Sequence, residues 1–592
     1  MSLHNKKTQK ISSQDMPNRL AQARGDSELD LLITNVNLLD VITGEIYPTC
    51  IAIGGQHIVG VGLDYADQKS ARVFDAQGAF VTPGFIDSHL HIESSMMSPF
   101  EFEKATLPLG TTTAICDPHE ITNVLGGRGF SWFLRSSEQM HQNLFVQMSS
   151  CVPALPGFET TGSDFPLEEM KSFKDHPSVL GLAEMMNFPG VIYADKDVHA
   201  KIEAFDDLNM DGHAPLLRGK PLNAYLLAGI QNCHETVTLE EGREKLQKGM
   251  GLIIREGSVA KNLKTLAPLV NDFSSPQCLL CTDDRNPFEI AHEGHINYLI
   301  KELINKHGVA IHVAYRLATY SAAKHFGLKR LGLVAPGKKA DLVFLKDLKQ
   351  VDIQDVMIGG QFVSELHLEK SLQEKLTASQ PPLENTMKRV PLMEKDLTVN
   401  LLPGVYNVIE IVPHEIITKH LVLNFDGQRF EQEDVLYMAN IERYGKGLPP
   451  ALGLVKGLGL KQGALASSVA HDSHNIMVIG TNAKDMALAV NTLIEKGGGF
   501  VVVDQEKIQA LVELPIAGLL SLKSAEEIKD GIADLKKAFR NLGVTLDEPF
   551  IQMAFLALPV IPTLKLTDRG LVNVTNFSFI PLEAYSTMCP TV

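Results

Sequence analysis

Positive charge is in short supply in this chain. Its 592 residues carry 54 lysines and arginines against 70 aspartates and glutamates, a formal net charge of −16. That balance argues against general affinity for nucleic-acid phosphates or anionic membrane surfaces and favours a small-molecule partner. Cysteine is also sparse: seven residues, an odd number at irregular spacing, exclude a disulfide framework and fit free thiols in a reducing compartment. No apolar run reaches the roughly 18 residues of a membrane-spanning helix. Met1 to Ala23 is polar and mixed in charge, without the apolar core of a signal peptide. The chain reads as cytoplasmic, with neither nucleic acid nor membrane as a partner. It has no G-x-x-x-x-G-K-[ST] loop and no G-x-G-x-x-G turn placed after a strand, so phosphate-cradling chemistry is unsupported. No tandem repeat at a period of roughly 20–50 residues is visible.

Apolar residues, by contrast, make up 44% of the chain, enough to build several folded units. From residue 30 to 82 the pattern is short β-type runs broken by turn residues, such as Leu31-Leu-Ile-Thr-Asn-Val and Cys50-Ile-Ala-Ile. Matching runs recur far downstream, Ala340-Asp-Leu-Val-Phe-Leu and Val356-Met-Ile, so residues 30–82 and 336–365 are expected to form one small, discontinuous β-sandwich. Between them, in residues 83–335, eight strand-like runs alternate with helix-length segments, ending near His91, Asp117, Ser150, Glu184, His213, His234, Arg255 and Asp283. Eight βα units of this length predict an α/β fold, a (β/α)8 TIM-like barrel, with chemistry at the C-terminal ends of its strands. A charged, Pro-containing stretch, 366–396, suits a helical linker, and residues 397–592 form a C-terminal α/β domain. Residues 1–29 are an N-terminal extension.

Pro83-Gly-Phe-Ile-Asp-Ser-His-Leu-His-Ile-Glu is the strongest single signal. Residues two apart on a strand face the same side, so His89 and His91 can offer both imidazoles to one metal ion. Further along, Glu184, His213, His234 and Asp283 each close an expected strand. Any one of these histidines alone is more often a hydrogen-bonded core residue. In order, the six supply donors for both ions of a binuclear site, with room for carboxylate bridging and a shared hydroxide. Asp117, His119 and Glu120 sit at the end of the second strand, either as orienting groups or extra ligands, or as an acidic helix N-terminus. Arg255 and Glu256 could contact substrate or form an ion pair at the rim. His471 and His474, in His-Asp-Ser-His-Asn, mark a second cluster without an assigned role. Cys278 and Cys281 form a C-x-x-C inside an apolar run with no second pair, which favours a place in the core.

Eight stretches carry a family resemblance: Pro83–Ser95, Gly110–Val124, Gly181–Val191, Asp211–Pro215, Arg255–Ser258, Cys281–Arg285, Leu331–Leu345 and Val469–Asn475. The chain resembles the amidohydrolase superfamily, and within it the branch that deaminates adenine. This implies hydrolysis of adenine to hypoxanthine and ammonia by a metal-activated hydroxide, in a purine-salvage context, with adenine and water as partners. Many binuclear relatives carry a carbamylated lysine where this chain has Glu184, a substitution characteristic of that branch. Glu184 is then the bridging ligand and Asp283 the ligand that also moves protons, with Asp284 its neighbour on the opposite strand face. Histidine and carboxylate donors suit manganese, iron or zinc; Mn2+ is the first choice, with Fe2+ or Zn2+ as alternatives. A homodimer is expected for a large acidic enzyme of this kind. The rival readings are another cyclic amide or amidine hydrolase of the superfamily and, in a different class, a catalytically inactive barrel scaffold.

Overall fold

Eight short runs buried on both faces organise the middle of the chain: β1 (Phe85–Leu90), β2 (Thr111–Cys116), β3 (Asn143–Ser149), β4 (Val179–Met185), β5 (Asn209–Gly212), β6 (Asn232–Cys233), β7 (Gly251–Arg255) and β8 (Cys278–Cys281). A computed structural model describes residues 10–413 and 415–584. The start of the expected extension (1–9) and the end of the C-terminal domain (585–592) lie outside those residues. Each strand pairs in parallel with the next. The seam between β8 and β1 closes just beyond β8, where Asp283 N–H donates to His89 O (3.1 Å) and His91 N–H donates to Asp283 O (3.4 Å). Helices Pro99–Thr106, Gly127–Gln139, Leu167–Phe173, Lys196–Ala204, Gly219–Leu227 and Leu239–Gln247 make the crossovers. Because helices cover the outside and side chains fill the inside, these strands read as continuous apolar runs rather than alternating ones.

Alternation reappears in where the side chains go. Leu279 and Cys281 join Ile86, Ile115, Phe145, Leu180 and Ile253 in one cluster, whereas Cys278 and Leu280 pack with Leu252, Ile254 and residues of the outer helices. Cys278 and Cys281 therefore lie on opposite faces of β8 and cannot share an ion. All six described cysteines are free and buried, and the C-x-x-C is part of the core.

The flanking β runs form one connected sheet, in the order Gln361–Phe362, Asp352–Ile358, Leu342–Asp347, Phe80–Pro83, Leu31–Leu39, Ile46–Gly54, His57–Val61, with Val73–Asp75 parallel to Leu31–Leu39. Ile58 and Phe362, from its two edges, share an apolar cluster with Ile33, Val81, Leu342 and Phe344, so the sheet curls over its own core. Leu342 pairs with Pro83 and Leu345 with Phe80: the chain enters the barrel and returns from it at the same place. Helix Met16–Arg24 lies against this sheet, with Arg19 Nη1 2.8 Å from Asp30 Oδ2.

After Gly360 the chain runs through helix Leu368–Ser379, which is tied to the barrel by Trp132 Nε1–H donating to Ser379 Oγ (3.0 Å). It then enters a third eight-stranded sheet. That sheet is antiparallel except where Gly404–Ile411 runs parallel to Ala451–Lys456. Helix Ala483–Lys496 covers one face, and helix Ala525–Asn541 packs among Leu465, Val502 and Val512 on the other. The C-terminal domain is seated on the barrel mouth. Ser521 N–H donates to Met96 O (2.8 Å), Ala525 N–H to Glu101 Oε2 (3.0 Å) and Thr160 N–H to Asp568 Oδ1 (2.9 Å). Among the described residues, no helix is long and apolar enough to cross a membrane.

Candidate metal centre at the barrel mouth

His89 stands near the end of β1 and His91 follows it, and their Nε2 atoms point at one spot, 3.2 Å apart. The His91 ring is held by its Nδ1, 2.9 Å from Asp117 O, which leaves Nε2 free for the centre. Around that spot lie Asp283 Oδ1, 3.2 Å from His91 Nε2 and 3.9 Å from His89 Nε2, and Glu184 Oε1, 3.5 Å from His91 Nε2. The second Glu184 oxygen meets His213 Nδ1 at 2.6 Å and His234 Nε2 at 2.8 Å, and the His89 and His234 rings stack at 3.8 Å. The six residues expected from sequence are thus together and buried.

Backbone features aim these groups. Gly212, just before His213, fits closely: a Cβ there would lie 2.4 Å from Asn232 O and 2.9 Å from the Tyr225 hydroxyl. Asp283 lies past the end of β8 with φ at +53°, a left-handed conformation costly for a non-glycine residue, held here by its two seam hydrogen bonds. The same conformation corrects one expectation. Asp284 was expected on the opposite strand face, but strand alternation ends at Cys281. Asp284 accepts a short hydrogen bond from Ser94 Oγ and lines the mouth cavity with Glu93, Ser94, Asn286 and His471.

Electrostatics follow from burial among carboxylates. Burial alone would raise the Glu184 pKa, but His213 and His234 hold it well below the usual carboxylate range. Burial likewise opposes ionisation of Asp283, yet Arg255, donating from Nη1 to Asp283 Oδ2 (2.7 Å), and then His91 keep it strongly depressed. For His91, burial and the neighbouring His119 push downward, and the hydrogen bond and charge of Asp283 reverse this to a strongly raised value. Burial first, and then His234, drive His89 well below its ordinary value.

The donor set fits a divalent cation. His89, His91 and Glu184; His89, His234 and Asp283; and Glu184, His213 and His234 each bring donor atoms within 4.8 Å of one another. Imidazole and carboxylate together suit a cation of intermediate hardness.

The remaining expected residues divide. Asp117 accepts from Ser149 Oγ (2.5 Å) and faces His119 Nδ1 (3.4 Å), which is also 3.5 Å from Glu184 Oε1. Glu120 lies within 4.8 Å of donor atoms of His91 and His119 and also reaches toward His471. Arg255 joins Asp283 to Glu235, gripping the latter with both guanidinium nitrogens. Glu256 faces elsewhere and accepts from Leu263 N–H (3.0 Å). His471 and His474 reach the mouth from the C-terminal domain, the His471 ring stacked on Phe555 at 4.6 Å. Sequence reasoning passed over Glu235, although it adjoins His234 and pairs with Arg255 opposite Asp283. It also passed over Asp87. That buried carboxyl accepts from Thr282 Oγ1 (2.6 Å) and N–H (3.2 Å), pinning β1 to β8, and burial lifts its pKa to about 7. Its position two residues before His89 was the available signal.

A closed eight-stranded barrel with this donor set defines the class, a metal-dependent hydrolase. The Amidohydrolase family model matches residues 80–363, and the Adenine deaminase C-terminal domain model matches residues 415–578. The chain is 88% identical over 98% of its length to the whole of an adenine deaminase from Bdellovibrio bacteriovorus. It is 55% identical over 99% of its length to the whole of one from Shewanella halifaxensis, and 53% identical over 98% to 99% of one from Escherichia coli. The chain belongs to the adenine deaminase family of amidohydrolases.

Proposed function

We propose that this chain converts adenine and water to hypoxanthine and ammonia, in a purine-salvage context. The observation that carries the reading is the position of Glu184, its two oxygens reached by His91 on one side and by His213 and His234 on the other, in a chain of this family. His89, His91, Glu184, His213, His234 and Asp283 would hold a pair of divalent cations. Manganese is the first choice for that pair, iron or zinc the alternatives. When bound, such cations lower the pKa of water from 15.7 toward about 7 and so supply a nucleophile at neutral pH.

The chain's own residues do the rest. Arg255 fixes Asp283 Oδ2, so Oδ1 is the oxygen left to accept a proton from the attacking water and return it to the ring or the departing amine. The strong depression of Asp283 keeps it ionised. Asp117, through its carbonyl, orients His91. His471, Ile551 and Ala554 wall the cavity from the C-terminal side and limit bulk water. The enzyme acts as a cytoplasmic homodimer on a neutral base, for which the net negative charge is no obstacle.

Incubation of manganese-loaded protein with adenine tests the reading: hypoxanthine and ammonia should appear in equal amounts. Hydrolysis of a cyclic amide with adenine untouched would overturn it in favour of a different amidohydrolase specificity.

A further inference from the structure

A second group of ionisable side chains converges a little above the first centre, where the two domains meet. His119 and Glu120 come from the segment after β2; His471, Asp472 and His474 come from the loop before strand Ile476–Gly480. All five are buried. His119 Nε2 lies 3.7 Å from Asp472 Oδ1, the same oxygen lies 3.7 Å from His471 Nδ1, and His471 Nδ1 lies 3.5 Å from Glu120 Oε1. These separations are too long for good hydrogen bonds. Donors placed about 2.0–2.2 Å from a common cation stand roughly 3.0–3.6 Å apart at octahedral to tetrahedral angles, close to the spacing seen.

Each of the two carboxylates also keeps one oxygen unmet. Glu120 Oε2 and Asp472 Oδ2 are buried without a hydrogen-bond partner, although Glu120 and Asp472 are only 1% and 2% exposed. A buried, unpaired carboxylate oxygen is costly, and two beside two imidazoles are better explained by a shared ligand than by chance. Glu120 Oε1 also lies 3.2 Å from Ser94 Oγ, whose single hydrogen is directed to the closer Asp284. His471 is fixed by its backbone N–H donating to Ala554 O (3.0 Å) and by stacking on Phe555. His474 Nδ1 already accepts the Ala470 N–H (3.3 Å), so His474 lines the cluster without belonging to the donor set.

We propose that His119 Nε2, Glu120, His471 Nδ1 and Asp472 form a further divalent-cation site, distinct from the catalytic centre, that clasps the C-terminal domain onto the barrel mouth. Two donors come from each domain, so the ion would cross-link them. His119 joins the two centres: its Nδ1 faces Asp117 and Glu184, its Nε2 faces Asp472.

Crystals of the full chain grown in excess Mn2+ and measured at the manganese absorption edge give the direct test. An anomalous peak between Glu120 and His471 is the expected result. Peaks at the His89–Asp283 centre with none between Glu120 and His471 would overturn this proposal and leave the proposed deaminase reading intact; a peak at the clasp alone would support the clasp and count against that reading. In solution, Asp472→Asn and His471→Gln should lower bound manganese from about three ions per chain to about two and reduce the melting-temperature gain on adding Mn2+. A count near two in both wild type and variants would overturn the clasp. If neither variant folds, the wild-type map still decides.

Discussion

Two histidine-rich segments reach the same mouth by different means. His89 and His91 belong to strand β1 and its end, where parallel neighbours and the seam with Asp283 fix every backbone atom. His471 and His474 sit on a loop, and their places depend on Ala554, Phe555 and the barrel beneath. In the first, a period of two puts both side chains on one face of any strand that contains them. In the second, no local rule aims the side chains; only domain docking brings His471 to Glu120. Ligands on a strand can thus be read from spacing, whereas ligands on a docked loop cannot.

The sharpest way to break the first region is Glu184→Gln. Loss of one charge between His91, His213 and His234 should empty the centre of metal and lower adenine turnover by at least about a thousandfold, followed by metal analysis and a hypoxanthine assay. Full activity with unchanged metal content would remove Glu184 from the bridging role.

Arg255→Met should come next. It leaves Asp283 and Glu235 buried without their shared cation, a loss of about 3–5 kcal/mol in urea unfolding. Its absence also lets the Asp283 pKa rise, so the acid limb of the kcat profile should move to higher pH. A stable variant with an unmoved acid limb would show that Arg255 does not hold Asp283.

The C-terminal domain has its own buried charge, Lys565, whose Nζ donates to Ile416 O (3.0 Å) and Phe555 O (2.9 Å) and whose pKa burial lowers from 10.5 to about 7. Between those values the unfolded chain binds a proton that the folded chain lacks, so the folded state gains stability as pH rises through this window. Lys565→Met lacks that gain. Its destabilisation should therefore be greater at about pH 9.5 than at about pH 6.5; equal values at both would mean that Lys565 stays charged when folded.

Smallest is Ser524→Ala at the start of helix Ala525–Asn541, where Ser524 Oγ accepts from Glu527 N–H and Glu527 answers at the Ser524 N–H. Loss of this capping box should cost about 1 kcal/mol with no change in bound metal. A change in metal content would show that this helix governs the mouth more closely than its packing suggests.

Much of the barrel was legible because its signals are local. Eight runs of buried strand residues with polar residues at their ends, spaced by helix-length segments, leave few topologies, and right-handed βα crossovers do the rest. The C-terminal sheet was legible only as strands and helices, since its order joins Gly404–Ile411 to Ala451–Lys456 past two intervening strands, Thr418–Phe425 and Val435–Ile441, a choice made by non-local pairing. Asp284 shows the same limit within one residue: strand alternation predicts its direction only as far as the strand lasts. Glu235, next to an expected ligand, stayed hidden because its partner Arg255 lies on another strand.

Taken alone, the sequence determined the donor types and their order along the chain, because strand periodicity and chain direction are properties of covalent geometry and apolar pattern. Tertiary structure decided which carboxylates oppose Arg255, where Asp284 points, and how His471 and Asp472 come to face His119 and Glu120. Those arrangements depend on groups far apart in sequence, and only the packing of one domain on the other determines their distances.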